Sequence, residues 1–243
     1  IIRGADVVDI SDTFPTMSEL LNTESIESKM DDLNGTKIGV IDSLLENSVW
    51  HSQDKKHPYL LAPVDLQAVK ACGVTFAQSM LERVIEERAK GDPSAAQGIR
   101  NDIQKVIGLN LESIIPGSSE AEQLKEVLIN KDMWSQYLEV GIGPDAEVFT
   151  KAQPMSVMGI GAQIGILEKS EWNNPEPEIT LAVNARGKIL GAALGNDVNL
   201  RDIEGRSALL LGKAKDNNAS AAIGPFIRPV SYTHLTLPTT LVV

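Results

Sequence analysis

The sequence predicts an α+β protein with a small N-terminal domain, and three observations support that prediction. Residues 79–131 of the 243-residue chain form a block with helical periodicity. From residue 137 onward, short apolar runs alternate with turns rich in glycine and proline, which is typical of β-structure. A polar stretch at residues 52–58, ending in proline, reads as a linker. We therefore predict a small α/β domain at residues 1–58 and a second domain at residues 59–229.

The individual elements follow from local patterns. An alternating segment at residues 5–10 predicts a strand, and residues 16–33 have the spacing of a helix. Apolar runs at residues 60–64 and 68–76 predict two further strands. Within the helical block, the motif Ser119-x-x-Glu122 fits a capping box in front of an apolar stripe that is most simply a set of core contacts.

Composition restricts the kinds of partner and chemistry. The chain carries 33 acidic against 22 basic residues, a net charge of −11, which argues against nucleic acid or an anionic membrane as the main partner. A single cysteine cannot form an internal disulfide, and no long apolar window or leader is evident, so we predict a cytoplasmic protein without a membrane span. Three histidines are too few to favour a zinc or Ser-His-Asp site.

Both ends of the sequence carry predictions of their own. The first residue is Ile1 rather than Met, so we expect the natural start to be missing. Residues 230–243 resemble a transposase adapter translated in frame, although a genuine threonine-rich strand is the alternative. We expect this tail to be non-native and the true C-terminal part of the catalytic domain to be absent.

An apolar–turn–apolar pattern in the C-terminal third predicts a β-hairpin with Arg186-Gly187 as a two-residue turn. Under that turn, Ala185 pairs with Lys188, and Asp197 lies opposite Glu176. The hairpin therefore brings two acidic positions that are distant in sequence to the same open end.

Three carboxylates, Glu176, Glu178 and Asp197, would converge there, because residues two apart in a strand share a face. Such charges raise each other's pKa unless a cation lies among them, and oxygen ligands favour Mg²⁺, Mn²⁺ or Ca²⁺. The alternative is a solvated strand face with Asp197 capping a turn. Geometry alone leaves both interpretations open, because the register is assumed.

Four motifs occur in a distinctive order: Glu-x-Glu at 176–178, Gly-Asn-Asp-Val-Asn-Leu-Arg-Asp at 195–202, Gly-Lys at 212–213 and Ile-Gly-Pro at 223–225. Together they resemble the fumarylacetoacetate hydrolase superfamily. The resemblance covers about residues 60–228 and implies a mixed β-roll, here truncated, with a helical insertion at 79–131. It also implies that Glu176, Glu178 and Asp197 bind a divalent metal, with Mg²⁺ expected.

Two features within that resemblance point away from hydrolases. Hydrolases of the superfamily use a His–Glu pair to activate water, whereas the matching text keeps Glu82 but has Ser79 in the histidine position. The short hairpin between Glu178 and Asp197 is similar to the sugar-acid dehydratase branch. The chain thus resembles the bacterial 2-keto-3-deoxy-pentonate dehydratases, and the implied reaction is metal-dependent dehydration to 2,5-dioxopentanoate in pentose catabolism.

The resemblance also assigns roles to individual side chains. Glu147 matches the catalytic glutamate of the dehydratase branch, and its pKa would be raised if Val148 and Phe149 shield it. Lys213 would pair with the substrate carboxylate or enolate. Lys151 is a second substrate-binding candidate. An ordinary surface position remains the alternative for both Glu147 and Lys213.

Arg201 is the remaining expected substrate contact, with an internal Arg201–Asp202 ion pair that supports the metal loop as the preferred alternative. Two other functions stay open: a hydrolase or decarboxylase of short diketo acids, and a catalytically inactive fragment. For the complete protein we expect a small sugar-acid substrate, a homo-oligomer (dimer or tetramer), and neither nucleic acid nor membrane as partner.

Overall fold

The computed structural model describes residues 1–73, 77–90, 92, 94 and 114–230. Within these residues, short helices accompany four small antiparallel sheets. This mixture confirms the predicted α+β class. The distal tail from residue 231, and residues 91, 93 and 95–113 of the predicted helical insertion, lie outside the described residues.

The N-terminal part is a three-stranded antiparallel sheet with helices beside it. The strands are β1 (Ile2–Arg3), β2 (Asp6–Asp9) and β3 (Thr36–Val40), and the helices are α1 (Met17–Asn22), α2 (Ile26–Lys29) and α3 (Ile41–Asn47). The helix predicted at residues 16–33 is broken, because Ser25 has a left-handed backbone with φ of 53°. A small core holds α1 and α2 against β2; its buried members are Val8, Ile10, Leu20 and Ile26.

The middle of the chain pairs β4 (Val69–Cys72) with β5 (Val148–Ala152). The strand predicted at residues 60–64 is wrong. There, the Leu60 N–H donates to the Ser48 hydroxyl at 2.8 Å rather than to a strand, and Gly159 lies against the Leu61 backbone.

Helices α4 (Ala77–Ala89), α5 (Ser119–Asn130) and α6 (Glu139–Ile142) form a second layer. Helix α5 begins one residue earlier than the predicted capping box, because Ser118 accepts the hydrogen bond from the Ala121 N–H at 3.2 Å. The three helices share a hydrophobic core made of Met80, Val84, Ile85, Ala121, Leu124, Leu128, Leu138 and Ile142.

The C-terminal part carries the acidic motifs. Strands β7 (Pro177–Val183), β8 (Ile189–Asp197) and β10 (Ala221–Pro229) form an antiparallel sheet in the order β10-β8-β7. A second ladder joins β6 (Asn173–Asn174) to β9 (Asn199–Leu200). Helices α7 (Arg201–Glu204) and α8 (Leu211–Lys215) follow β9, and Leu200, Ile203 and Ala214 pack together beneath them.

Direct contacts connect the N-terminal part to the rest of the chain. The Asp65 carboxylate accepts hydrogen bonds from the Met17 and Ser18 N–H groups at 2.6 and 3.2 Å, and Asn22 accepts one from the Ala185 N–H at 2.8 Å. The Asp65 contacts anchor the first turn of α1. The domain boundary at residue 58 stays a prediction.

None of the helices in the described ranges is both long and apolar enough to cross a bilayer.

Candidate active site

The register of the β7–β8 hairpin places the acidic residues as predicted. Pro177 faces Asn196, Glu178 faces Gly195, and the Asp197 N–H donates to the Glu176 carbonyl at 3.0 Å. The open end of the hairpin therefore brings Asp197 directly across from the Glu-x-Glu segment.

The turn of this hairpin is longer than predicted. Asn184, rather than Ala185, pairs with Lys188, and its N–H donates to the Lys188 carbonyl at 3.0 Å. The Asn184 side chain also accepts from the Lys188 N–H at 3.0 Å, and Gly187 adopts a left-handed φ of 76°. A register shift after Ala182 absorbs the additional residue, so the rest of the ladder keeps the predicted pairing.

Glu178 lies on the more protected face of β7, whose residues alternate regularly with exposed ones, and Glu176, just before the strand, is equally half-buried. Asp197, across from them, is only 4% exposed. Burial raises the pKa of Glu176, although the Lys215 ammonium opposes this, and burial together with the charges of Asp197 and Glu176 raises the pKa of Glu178. These groups are the acidic side of a charged cluster.

Lys215 supplies the positive charge at the centre of this cluster. Its ammonium pairs with the Glu176 carboxylate, lies 3.2 Å from Asp197 Oδ2, and is 5.4 Å from the centre of the Phe149 ring. The neighbouring carboxylates raise the pKa of Lys215, although desolvation, the largest single contribution, acts in the opposite direction. Sequence reasoning missed this residue.

Lys213, the predicted catalytic lysine, is exposed, and the structure does not bring its side chain to the carboxylates. The reason is helical geometry: positions two apart differ by about 200° around the axis, so α8 directs Lys213 and Lys215 to different sides. Charge spacing along α8 could have suggested either lysine. The catalytic role of Lys213 remains a prediction. The position of Lys215 among the carboxylates favours Lys215 for that role instead.

Lys151 lies at the base of the cluster and is 2% exposed. Its ammonium is 2.9 Å from Asp197 Oδ1 and donates to the Val198 carbonyl at 2.8 Å, the Lys215 carbonyl and the Ser220 hydroxyl at 3.4 Å. Burial lowers its pKa, an effect that the Asp197 charge opposes. These protein partners indicate that Lys151 holds Asp197 and the end of α8 in place, whereas the sequence predicted a substrate contact.

A polar layer surrounds Glu176 from the other side. Asn199 donates to Glu176 Oε1 at 3.1 Å and to the buried Glu204 carboxylate, and Arg201 Nη2 lies 3.6 Å from Glu176 Oε1. Arg201 therefore lies beside Glu176, one of the predicted metal ligands, and its contact with substrate stays a prediction.

Asp202 is buried at 4% exposure and accepts hydrogen bonds from the Ser170 hydroxyl at 2.7 Å and the Glu171 N–H at 3.0 Å. These contacts connect α7 to the segment that leads into β6. Asp202 thus supports the local backbone from which Arg201 projects.

Glu147 forms a separate acidic position just before β5. Its side chain is 15% exposed, and Arg83 Nη2 donates to its Oε2 at 3.4 Å. Burial raises the pKa of Glu147 and the Glu204 charge adds to this, while Arg83 and Lys215 oppose it. The expected shielding by Val148 is wrong, because that side chain is 61% exposed.

The predicted departure from the hydrolase motif falls at the start of α4. Residues 75 and 76 lie outside the described residues, and so do the side chains of Ser79 and Glu82. The substitution of serine for histidine therefore rests on the sequence alone.

Among the residues that the structure describes, no group of three or more His, Cys, Asp or Glu side chains has the spacing of a metal site. The donor set nevertheless suits a hard cation, because Glu176, Glu178 and Asp197 are all oxygen ligands. Asn199 Oδ1, in the same cluster, is a buried oxygen that has no hydrogen-bond partner among the described residues. The Lys215 ammonium lies between two of these carboxylates and offsets their negative charge.

No family model matches the chain. Two curated proteins match part of it: a probable 2-keto-3-deoxyxylonate dehydratase of Haloferax volcanii, 38% identical over 107 residues, and a 2-dehydro-3-deoxy-D-arabinonate dehydratase of Saccharolobus solfataricus, 40% identical over 81 residues. The matches cover 44% and 33% of this chain but only 36% and 27% of those proteins. The chain is therefore similar to sugar-acid dehydratases over a limited stretch.

Solved structures extend the similarity in fold to nearly the whole chain. A 2-keto-3-deoxy-D-arabinonate dehydratase complexed with magnesium and 2,5-dioxopentanoate superposes with a TM-score of 0.59 at 19% identity, covering 96% of this chain and 62% of that one. A hexagonal crystal form of a 2-keto-3-deoxyarabinonate dehydratase gives 0.56 at 20% identity, with coverage of 96% and 66%. The chain has a fold similar to that of these dehydratases and spans under two thirds of their length.

Proposed function

We propose that this chain belongs to a hydro-lyase that dehydrates a 2-keto-3-deoxy-pentonate to 2,5-dioxopentanoate. The observation that carries the proposal is that the chain has both a carboxylate–lysine cluster (Glu176, Asp197 and Lys215) and a separate, partly buried glutamate, Glu147. The named dehydratases to which the chain is similar support the same substrate class.

Glu176, Glu178 and Asp197 would hold the divalent cation, with Mg²⁺ the first choice because the ligands are carboxylates and a similar solved dehydratase contains magnesium. When bound, such a cation supplies Lewis-acid polarisation of the 2-keto group, which makes the protons on C3 more acidic. Lys151 and Asn199 contribute by fixing two of the three ligands through the contacts described above.

Lys215 would orient the substrate and balance the negative charge that develops on the keto oxygen, since its ammonium already faces the carboxylates. Arg201 is placed to bind the substrate carboxylate at the edge of the same cluster. Both functions require cations whose positions are set by neighbouring acids, and the cluster provides such neighbours.

Glu147 would move the protons. As a carboxylate it accepts a C3 proton; as a carboxylic acid it returns that proton to the hydroxyl on C4, so the C4–O bond breaks and one water leaves. A proton shift from C5 to C3, followed by ketonisation of the C5 enol, completes the conversion to the aldehyde. A partly buried glutamate with a raised pKa suits this alternation between acid and base.

The direct test is to incubate the chain with Mg²⁺ and either 2-keto-3-deoxypentonate or an acylpyruvate, with NMR detection of 2,5-dioxopentanoate. We expect the aldehyde only from the pentonate, and we expect Glu147→Gln to abolish it. Glu168→Gln, at an exposed position, is the matched control. Cleavage of the acylpyruvate alone would favour the diketo-acid hydrolase, and inactivity toward both compounds would favour an inactive fragment.

A further inference from the structure

The Glu147 carboxyl lies against the end of β4 and the side of α4. The Gly73 N–H donates to the Glu147 backbone carbonyl at 2.9 Å, which continues the β4–β5 pairing by one residue. Arg83, whose side chain is 9% exposed, donates to Glu147 Oε2 at 3.4 Å. Backbone and side chain of Glu147 are therefore constrained by two different elements.

Gly73 is required at this position for space. A Cβ atom built on Gly73 would lie 2.4 Å from Glu147 Oε2, 3.1 Å from Glu147 Cβ and 3.3 Å from Arg83 Nη2. The closest of these atoms is the end of a flexible side chain. A methyl group there would displace the Glu147 carboxyl, because the added volume falls on space that the carboxyl already occupies.

We propose that Gly73 and Arg83 are positioning residues for Glu147: the missing side chain of Gly73 leaves the space in which the carboxyl lies, and Arg83 holds it there. This inference rests on the acid–base role proposed for Glu147. It adds a mechanism of orientation in which a strand end and a helix face together set one side-chain position.

The charges around Glu147 allow the contribution of Arg83 to be isolated. Arg83 on α4 and Lys215 on α8 favour the carboxylate, whereas burial and Glu204 on α7 favour the protonated acid. Without the Arg83 charge, the opposition to burial and Glu204 that comes from the described residues is that of Lys215. The pKa of Glu147 should then rise further above its ordinary value.

The first experiment follows the ¹³C carboxyl resonance of Glu147 through a pH titration of the metal-free chain, assigned with Glu147→Gln. We expect Arg83→Met to move the midpoint upward. Arg83→Lys, which keeps the positive charge, should have a midpoint close to that of the wild-type chain. Arg88→Met removes an exposed arginine from the same helix and should leave the midpoint unchanged. An unchanged midpoint in Arg83→Met, or an equal movement in Arg88→Met, overturns the role of Arg83.

The second experiment compares Gly73→Ala with Gly212→Ala, whose added Cβ meets no atom within 4 Å. We expect Gly73→Ala to change the Glu147 midpoint and to reduce kcat by about tenfold to a hundredfold, with little change in KM. A folded Gly73→Ala protein with the wild-type midpoint and wild-type kcat overturns the role of Gly73. If Gly73→Ala fails to fold, the double variant Gly73→Ala/Glu147→Ala, which lacks the carboxyl that the added methyl group meets, should fold again, and its failure to fold overturns the role of Gly73.

The two proposals can fail separately. Titration shifts in Arg83→Met without any dehydration by the wild-type chain contradict the proposed function and leave the positioning of Glu147 supported. Dehydration that depends on Glu147 but is unaffected by Arg83→Met and Gly73→Ala contradicts the positioning alone.

Discussion

Two acidic regions of this protein use burial in different ways. In the hairpin cluster, Asp197 is 4% exposed and has lysine ammonium groups on both carboxylate oxygens, from Lys151 at 2.9 Å and Lys215 at 3.2 Å. Glu147, by contrast, is paired with Arg83 at the longer distance of 3.4 Å and has a raised pKa. The hairpin cluster suits groups that stay ionised, whereas the surroundings of Glu147 suit a carboxyl group that gains and loses a proton.

The largest expected effect concerns the buried ion pair between Lys151 and Asp197. Lys151→Met removes the buried charge that pairs with Asp197 and takes the donor from two buried carbonyl oxygens, so we expect a loss of about 3–5 kcal/mol in the free energy of unfolding. Lys37→Met removes an exposed partner of Asp6 and should cost about 0–1 kcal/mol. Urea denaturation measures both; equal effects would show that the buried pair carries no special weight.

The next effect concerns the two lysines of α8. Lys215→Met should lower kcat about 10²–10³-fold, because it removes the fixed cation of the cluster. Lys213→Met, at the exposed position, should change kcat by no more than about twofold. The opposite order of effects in steady-state kinetics would restore Lys213 as the catalytic lysine and contradict the assignment to Lys215.

Metal binding should give a third, smaller effect. With Mg²⁺ at about 100 times its dissociation constant, stability should rise by about 2.7 kcal/mol, seen as a higher Tm. Glu178→Gln should abolish most of that increase, while Glu168→Gln should preserve it, because only Glu178 faces the cluster. An equal shift in both variants would place the cation elsewhere.

The smallest effect concerns pH. Because burial raises the pKa of Glu147, the folded chain holds a proton that the unfolded chain has already lost at intermediate pH. Stability from this group is therefore present below the ordinary glutamate pKa, about 4.3, and falls as pH rises through the raised value. Glu147→Gln should flatten that part of the urea-midpoint profile relative to Glu168→Gln.

The register of the hairpin is as predicted, even though the two-residue turn from which it follows is wrong. Glu176, Glu178 and Asp197 were placed at the same end, and their approach follows from pairing alone. The turn was less predictable, because the Asn184 side chain accepts hydrogen bonds from backbone N–H groups and stabilises a longer loop. The register shift after Ala182 then keeps the predicted pairing in the rest of the ladder.

The sequence by itself determined the α+β class and the acidic hairpin, because these depend on local periodicity and on the order of motifs, whereas Glu147 was a candidate through the resemblance alone. Only the tertiary structure decided which lysine enters the cluster, that Lys151 holds Asp197, and that Gly73 and Arg83 enclose Glu147. Each of these contacts joins residues from separate elements. Their distances depend on how helices and strands pack together, which local patterns do not encode.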